Sequence, residues 1–331
     1  MHQLKDFEPL SNRWRARLAP WKQITLLPQS VRLRLCNFEI PAPESAPPLR
    51  GVYIGEGLSL DYYLSLYRAR LVRMDHIYLW QLSAAVKSMI DDTPLVLVEI
   101  NHLLSGLLPS GALQIAPWME QETNLQGELY QKRRPGIENG WGQKVRRQAF
   151  HFTTSTELTD LECFYREYYL PYVKLRHGDS ASVRGFPMLR RALHSGFLLK
   201  VWRKEQWVSS LLVFQDGQQR VIALADGLHE SQFSSRQDGA IAAGHYFLFE
   251  WARNHGIERV NLCGARPHLL NGVLKHKQLW AAESRYDAWH HTRNMFYVQP
   301  GAHLPEAISK QVVEAAGAFV SIGEHLAALK R

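Results

Sequence analysis

Three apolar runs, at 197–203, 207–214 and 220–226, are parted by Lys204-Glu205-Gln206 and by a turn carrying Asp216-Gly217. Short apolar runs with such turns between them predict an antiparallel meander. A stretch of small and charged residues follows. Then Ile241, His245, Leu248, Trp251 and Ala252 recur at helical spacing up to a stop at Gly256, and 258–262 reads as one more strand. Ser235-Arg236-Gln237-Asp238 has the pattern of a helix start, a hydroxyl followed three positions on by an acid. Gly239 and Ala240 leave the first turn without bulk, so bare N–H groups beside Arg236 can receive a phosphate. The ordinary alternative is that these small residues let the helix pack closely on a sheet.

Elsewhere, Val31, Leu33 and Leu35 alternate with Arg32 and Arg34 inside 24–38, which predicts a half-buried strand. Strands are also expected at 52–54, 77–82, 95–100 and 150–153, with helices near 60–73 and 84–90. Residues 126–147, rich in Gly and basic side chains, read as a flexible loop. Leu158, Leu161, Phe164, Tyr165 and Tyr168 predict a helix over 157–169 that Pro171 should break. Closing strands are expected at 284–290 and 295–299. Residues 302–330 read as mostly helical, with Ile308, Val312, Ala315, Phe319, Ile322 and Leu326 on one face. The chain thus divides into an N-terminal α/β half at 1–125 with a basic arm at 1–24, a connecting loop at 126–147, a second half at 148–300, and a C-terminal helix at 301–331.

Composition narrows the class. With 331 residues, 46% hydrophobic and 21% charged, there is ample material for a packed core. A formal charge of +8 favours anionic partners and chooses none among a nucleotide, a tRNA, an anionic lipid or an acidic glycan. No apolar run is long enough to predict a membrane-spanning helix. The N-terminus lacks the apolar core of a signal peptide. Cys36, Cys163 and Cys263 form no metal spacing and cannot all pair, so no metal is expected and a reducing cytoplasm is the simplest home.

The order of meander, phosphate-type loop, long helix and strand resembles the GNAT acyltransferase fold. Arg236-x-x-Gly239 is similar to its pyrophosphate-binding loop, except that Ile241 stands where a small residue is usual. Two further stretches resemble the bacterial FemAB-like group of GNAT-type proteins. Leu269-Leu270-Asn271-Gly272-Val273-Leu274-Lys275-His276-Lys277-Gln278-Leu279-Trp280 matches its F-L-x-D-G-V-L-x-x-K-x-x-W-G ending, with Asn271 for the acid and Ala281 for the final Gly. Tyr168 to Ala181, YYLPYVKLRHGDSA, matches its aromatic-P-Y-V-x-x-R-H-G-D-x-A stretch. The resemblance spans roughly 95–285 and implies an α/β fold with a GNAT-like mixed, largely antiparallel sheet flanked by helices, and room for two GNAT-like halves. It also implies acyl transfer by direct attack.

Acyl transfer needs a proton acceptor, a polarised carbonyl and a grip on the leaving group. His177 is the first candidate base, with Asp179 to orient it and Arg176 to bind a carboxylate or phosphate. Asp226, at the end of the third meander strand, is the second. Arg176, His177 and Asp179 also fit an ordinary capping turn, and Asp226 before Gly227 fits a strand-end turn. Lys275 and Lys277 can hold phosphates or a polarised oxygen, and Trp280 can wall the acceptor site; the plainer alternative is solvated lysines and a packed tryptophan. Arg236, Gly239 and Ala240 are the donor-phosphate candidates. The donor is expected to be acyl-CoA, with aminoacyl-tRNA as the alternative. The acceptor is expected to be an amine or hydroxyl on a small, lipid-linked or glycan-linked molecule. A non-catalytic scaffold for an anionic partner is the reading from another class.

Overall fold

The structure is a computed structural model that describes residues 21–42, 47–178, 183–233, 239–287, 290–300, 302, 304–315 and 318–328. In chain order its elements begin β1 (Arg32–Ile40), β2 (Leu49–Gly55), α1 (Leu60–Leu66), β3 (Arg70–Tyr78), α2 (Leu82–Ile90), β4 (Leu95–Asn101), β5 (Leu113–Ile115) and β6 (Met119–Asn124). Next come α3 (Glu128–Ile137), α4 (Gln143–Arg147), β7 (Phe150–Ser155), α5 (Leu158–Cys163), α6 (Leu170–His177) and α7 (Phe186–His194). The meander and its helix are β8 (Gly196–Arg203), β9 (Gln206–Gln215), β10 (Arg220–Leu228), α8 (Ala240–Asn254) and β11 (Arg259–Ala265). The chain closes with α9 (Gly272–Leu279), β12 (Glu283–Tyr286), β13 (Thr292–Val298), α10 (Glu306–Ser309), β14 (Val312–Ala315), β15 (Ala318–Ser321) and α11 (Ile322–Ala328).

Two units share these elements, and neither is a continuous half. Among the described residues one comprises Glu120–Cys263 and His276–Glu283; the other comprises 21–119, Gly264–Lys275 and 284–328. The expected boundary near residue 125 is therefore replaced by an interleaved division.

In the first unit, β8, β9 and β10 form the predicted antiparallel meander, and α8 leads from β10 to β11, which pairs with β10 in parallel. This is the GNAT-like order. Alternation along the strands supplies two buried faces. Leu199, Val201, Leu211, Val213, Val221 and Ala223 join the core that holds α8, whereas Leu198, Leu212, Phe214, Ile222 and Leu224 join the one that holds Leu161, Phe164 and Tyr168.

In the second unit the sheet order is β3-β1-β2-β4-β13-β5. Strand β4 is buried along its whole length. Leu95 and Leu97 face α1, and Val96, Val98 and Ile100 face α2. A strand wrapped on both sides reads as a continuous apolar run, which is why LVLVEI was legible.

Further expectations change. The strand expected at 77–82 is instead the end of β3 at Tyr78, a 3-10 turn at Leu79–Gln81 and the start of α2. Residues 126–147 are helical, with a π-type turn at Glu138–Gly142 joining α3 to α4. Pro171 does not end its helix. A π-type turn over Phe164–Tyr169 widens the helix just ahead, and the proline falls in the opening turn of α6, where its missing N–H is not needed. The helix expected over 60–73 stops early: Arg68 takes φ 51°, and Ala69 N–H donates to the Leu64 carbonyl at 2.8 Å. The expected C-terminal helix is α10, a β14–β15 hairpin and α11, because Val312-Val313 and Phe319-Val320 suit a paired strand better than a helix face.

Candidate active site

A single extra residue in β10 creates the site. The β9–β10 register runs Ile222↔Phe214 and Ala223↔Val213, then resumes at Ala225↔Leu212 and Asp226↔Leu211. Leu224 is the extra residue, and a bulge of this kind exchanges the faces of everything after it. Without it Asp226 would share the face of Ile222 and Leu224. With it Asp226 lies opposite Leu211, on the face that α8 covers. Gly227 follows because a side chain there would meet the Phe164 ring at 2.6 Å.

Helix α8 answers with His245, whose side chain is only 5% exposed and whose Nε2 lies 3.7 Å from Asp226 Oδ1. Its Nδ1 lies 3.1 Å from the Ile241 carbonyl, which can only accept, so Nδ1 carries a proton. In the neutral ring, Nε2 then turns a lone pair toward a carboxylate.

The C-terminal part of α9 completes the cluster from within the same unit. Trp280 is fully buried, and its Nε1–H donates to His276 Nε2 at 3.3 Å. Because indole is a donor only, His276 is held as the Nδ1–H tautomer. Burial, and then the positive neighbours His245, Arg176 and Lys277, push His276 down to about 3, so it is neutral under ordinary conditions. The Lys277 ammonium is buried as well. Burial brings it down to about 8, with Arg184 and Arg176 acting in the same sense and Cys263 and Asp226 opposing. Rings bind the group together: His245 lies 5.3 Å from His276 and 5.9 Å from Trp280, centroid to centroid.

Beside this cluster the sheet opens. The parallel pairing of β10 and β11 runs from Arg220↔Arg259 to Ile222↔Asn261, whereas the strands themselves continue to Leu228 and Ala265. Cys263 sits where they part, at φ 60°. Its thiol donates to the Ala223 carbonyl at 3.1 Å, and Asn261 Oδ1 holds its N–H at 2.7 Å.

The residues singled out from sequence fall in different places. Asp226 and Lys277 stand in the cluster. Trp280 is an interior side chain that fixes the His276 tautomer. Lys275, two positions from Lys277, is exposed, since that spacing puts the two on different helix faces. Arg176 is exposed on α6 and donates to Tyr172 Oη at 2.6 Å. His177 is the last residue of α6, while Asp179 and Arg236 lie outside the described residues. Gly239 caps α8 at φ 86°, and a Cβ there would meet Lys144 Cε at 3.1 Å. Ala240 is buried, and its carbonyl accepts from Ser209 Oγ at 2.9 Å. His245 and His276 were missed as site residues. The only local signal was a histidine on an otherwise apolar helix face, and that pattern most often marks a core position.

No family model and no curated protein matches the chain. Among solved structures it is similar to FemX, at 11% identity over 79% of this chain and 83% of that one, with a TM-score of 0.39. It is also similar to L-PGS from Bacillus licheniformis, at 11% identity over 86% and 93%, TM-score 0.37. A third is a tandem GNAT protein from the clavulanic acid biosynthesis pathway, at 11% identity over 80% and 78%, TM-score 0.33. At such identities the likeness is one of fold, and the chemistry has to come from this chain's own side chains.

Proposed function

We propose that this chain is an acyltransferase that moves an acyl group from a thioester donor, acyl-CoA, to an amine or hydroxyl by direct attack. The observation that carries the reading is the Asp226–His245 pair, aimed by the β10 bulge, with His245 Nε2 3.7 Å from Asp226 Oδ1. An attacking amine gives a proton to Nε2 of the neutral His245 ring, and Asp226 stabilises the imidazolium that results. As the new C–N bond forms and the C–S bond breaks, the Lys277 ammonium faces the charge on the carbonyl oxygen. Neutral His276 adds no competing proton and offers its Nδ1–H as a donor. The leaving group's phosphates fit the start of α8, where Gly239 and Ala240 present bare backbone and the Lys144 stem lies close. Arg236 would join them.

A second donor has its own support. Lys132, Arg133, Arg134, Arg146 and Arg147 are exposed on α3 and α4, so the basic stretch is held on helices. Such a surface suits the backbone of an aminoacyl-tRNA.

Equilibrium binding of coenzyme A, acetyl-CoA, a long-chain acyl-CoA and charged tRNA, at two salt concentrations, separates the two. Selective acyl-CoA binding that falls in Arg236→Ala supports the first reading. Tight, salt-sensitive tRNA binding without CoA binding supports aminoacyl transfer. With a donor in hand, single-turnover transfer that survives unchanged in both Asp226→Asn and His245→Gln would leave the non-catalytic scaffold as the better account.

A further inference from the structure

We propose that the chain forms a twofold homodimer by antiparallel pairing of β3 with β3 of a second copy, which joins the two six-stranded sheets edge to edge. Among the described residues β3 is the outer strand of its sheet. It is nine residues long, and eight of the nine are exposed. Solitary edges are normally short, interrupted by proline or covered, because a free row of N–H and C=O groups is a template for another strand. This edge has no proline, and it shows water Leu71 at 38%, Val72 at 54%, Met74 at 52% and Tyr78 at 46% exposure.

The sequence of β3 is complementary to itself. Twofold antiparallel pairing of identical strands requires a residue to face its own copy at the centre, since hydrogen-bonded and non-hydrogen-bonded pairs alternate. Centring on Met74 puts Arg73 of each copy opposite Asp75 of the other, Leu71 opposite Ile77, Val72 opposite His76, and Arg70 opposite the Tyr78 ring. Shifting the centre by one residue sets Arg73 against Arg73 or Asp75 against Asp75. Charge therefore favours the Met74 centre over the two beside it, and it is the centre that sets Arg73 against Asp75 twice. Arg73 and Asp75 already point to the same side, bridged at 2.6 Å, and both are well exposed. Their stretch is regularly paired to β1, at Asn37↔Arg73 and Leu35↔Asp75, with the irregularity beyond Arg73. Aliphatic and charged side chains in alternation suit a second strand of this composition better than a nucleic acid, whose bases would need aromatic platforms all along the edge.

The test is sedimentation equilibrium of the full chain. Wild type is expected to be dimeric. Arg73→Asp and Asp75→Arg each set two like-charge pairs face to face, and each is expected to weaken the dimer about ten-fold or more. An equimolar mixture of these two variants restores every opposite pair across the interface, so it should form a one-to-one heterodimer, and the Arg73→Asp/Asp75→Arg double variant should dimerise again. Circular dichroism melts of each variant check that the fold is kept. A monomeric wild type overturns the proposal. So does a dimer indifferent to both reversals, or a monomer that binds anionic vesicles through Met74 and Tyr78.

Discussion

Two buried polar clusters, one in each unit, are built to opposite specifications. In the second unit Glu99 is 1% exposed, and both of its oxygens are used. Oε1 accepts from Ser59 Oγ at 2.8 Å, and Oε2 accepts from the N–H groups of Leu58 and Ser59 at 2.9 and 3.1 Å and from the Tyr53 hydroxyl. Burial, and then Glu99, keep the proton on Tyr53. Nearby Glu56 is closed in the same way by Ser30 and by His291 at 3.0 Å. In the first unit the Asp226–His245 pair stands 3.7 Å apart, beside a lysine and a histidine both shifted by burial. A saturated network holds structure in place. A looser pair with shifted groups around it is where the proposed transfer is placed.

The sharpest way to break that contrast is to remove one member from each cluster. His245→Gln is expected to slow transfer by about 10²–10⁴-fold, with little change in the urea midpoint, as measured by single-turnover kinetics and denaturation of the same preparation. Glu99→Ala should do the reverse. It strands a phenol and two backbone donors, and is expected to lower stability by about 3 kcal/mol while the folded fraction keeps its turnover. If Glu99→Ala folds normally and His245→Gln does not, the two assignments are exchanged.

A smaller effect separates the clusters by pH. His276 is held near 3 in the folded chain against 6.5 in the unfolded one. Above 6.5 both states are neutral there and its contribution is fully present. As the pH falls, the unfolded chain takes up a proton that the folded chain refuses, so stability is lost progressively down to about 3. Replacing it by Gln, which still accepts from Trp280, should flatten the denaturation midpoint between neutral pH and about pH 4, recovering roughly 2 kcal/mol. Lys277→Met is the smallest. A lysine lowered from 10.5 to about 8 costs stability below that range and less as the pH rises through it. The variant is therefore expected to gain about 1 kcal/mol at neutral pH, with the gain fading in alkali, while losing transfer. A calorimetric scan at two pH values checks both.

The sequence by itself determined the elements whose cause is local. The β8–β10 meander, the stop of α8 and the buried run of β4 follow from alternation, helical spacing and turn residues within a few positions, whereas the capping pattern expected at Ser235–Asp238 lies outside the described residues and α8 opens at Ala240 after Gly239. Lys277 was legible because it lies in a contiguous stretch. Where a second, distant cause intervened, sequence reasoning failed. The π-type turn that carries the helix past Pro171, the helices in place of a basic loop, and the C-terminal hairpin each depend on what the segment packs against. The site belongs to that second kind. Asp226 was named for its position at a strand end. Its meeting with His245, nineteen positions along, depends on one unpaired residue at Leu224. Nothing near Leu224 in the sequence marks it, because a bulge is a property of two strands paired together. Only the tertiary structure decides which face a carboxylate turns to, and whether a buried histidine is packing or chemistry.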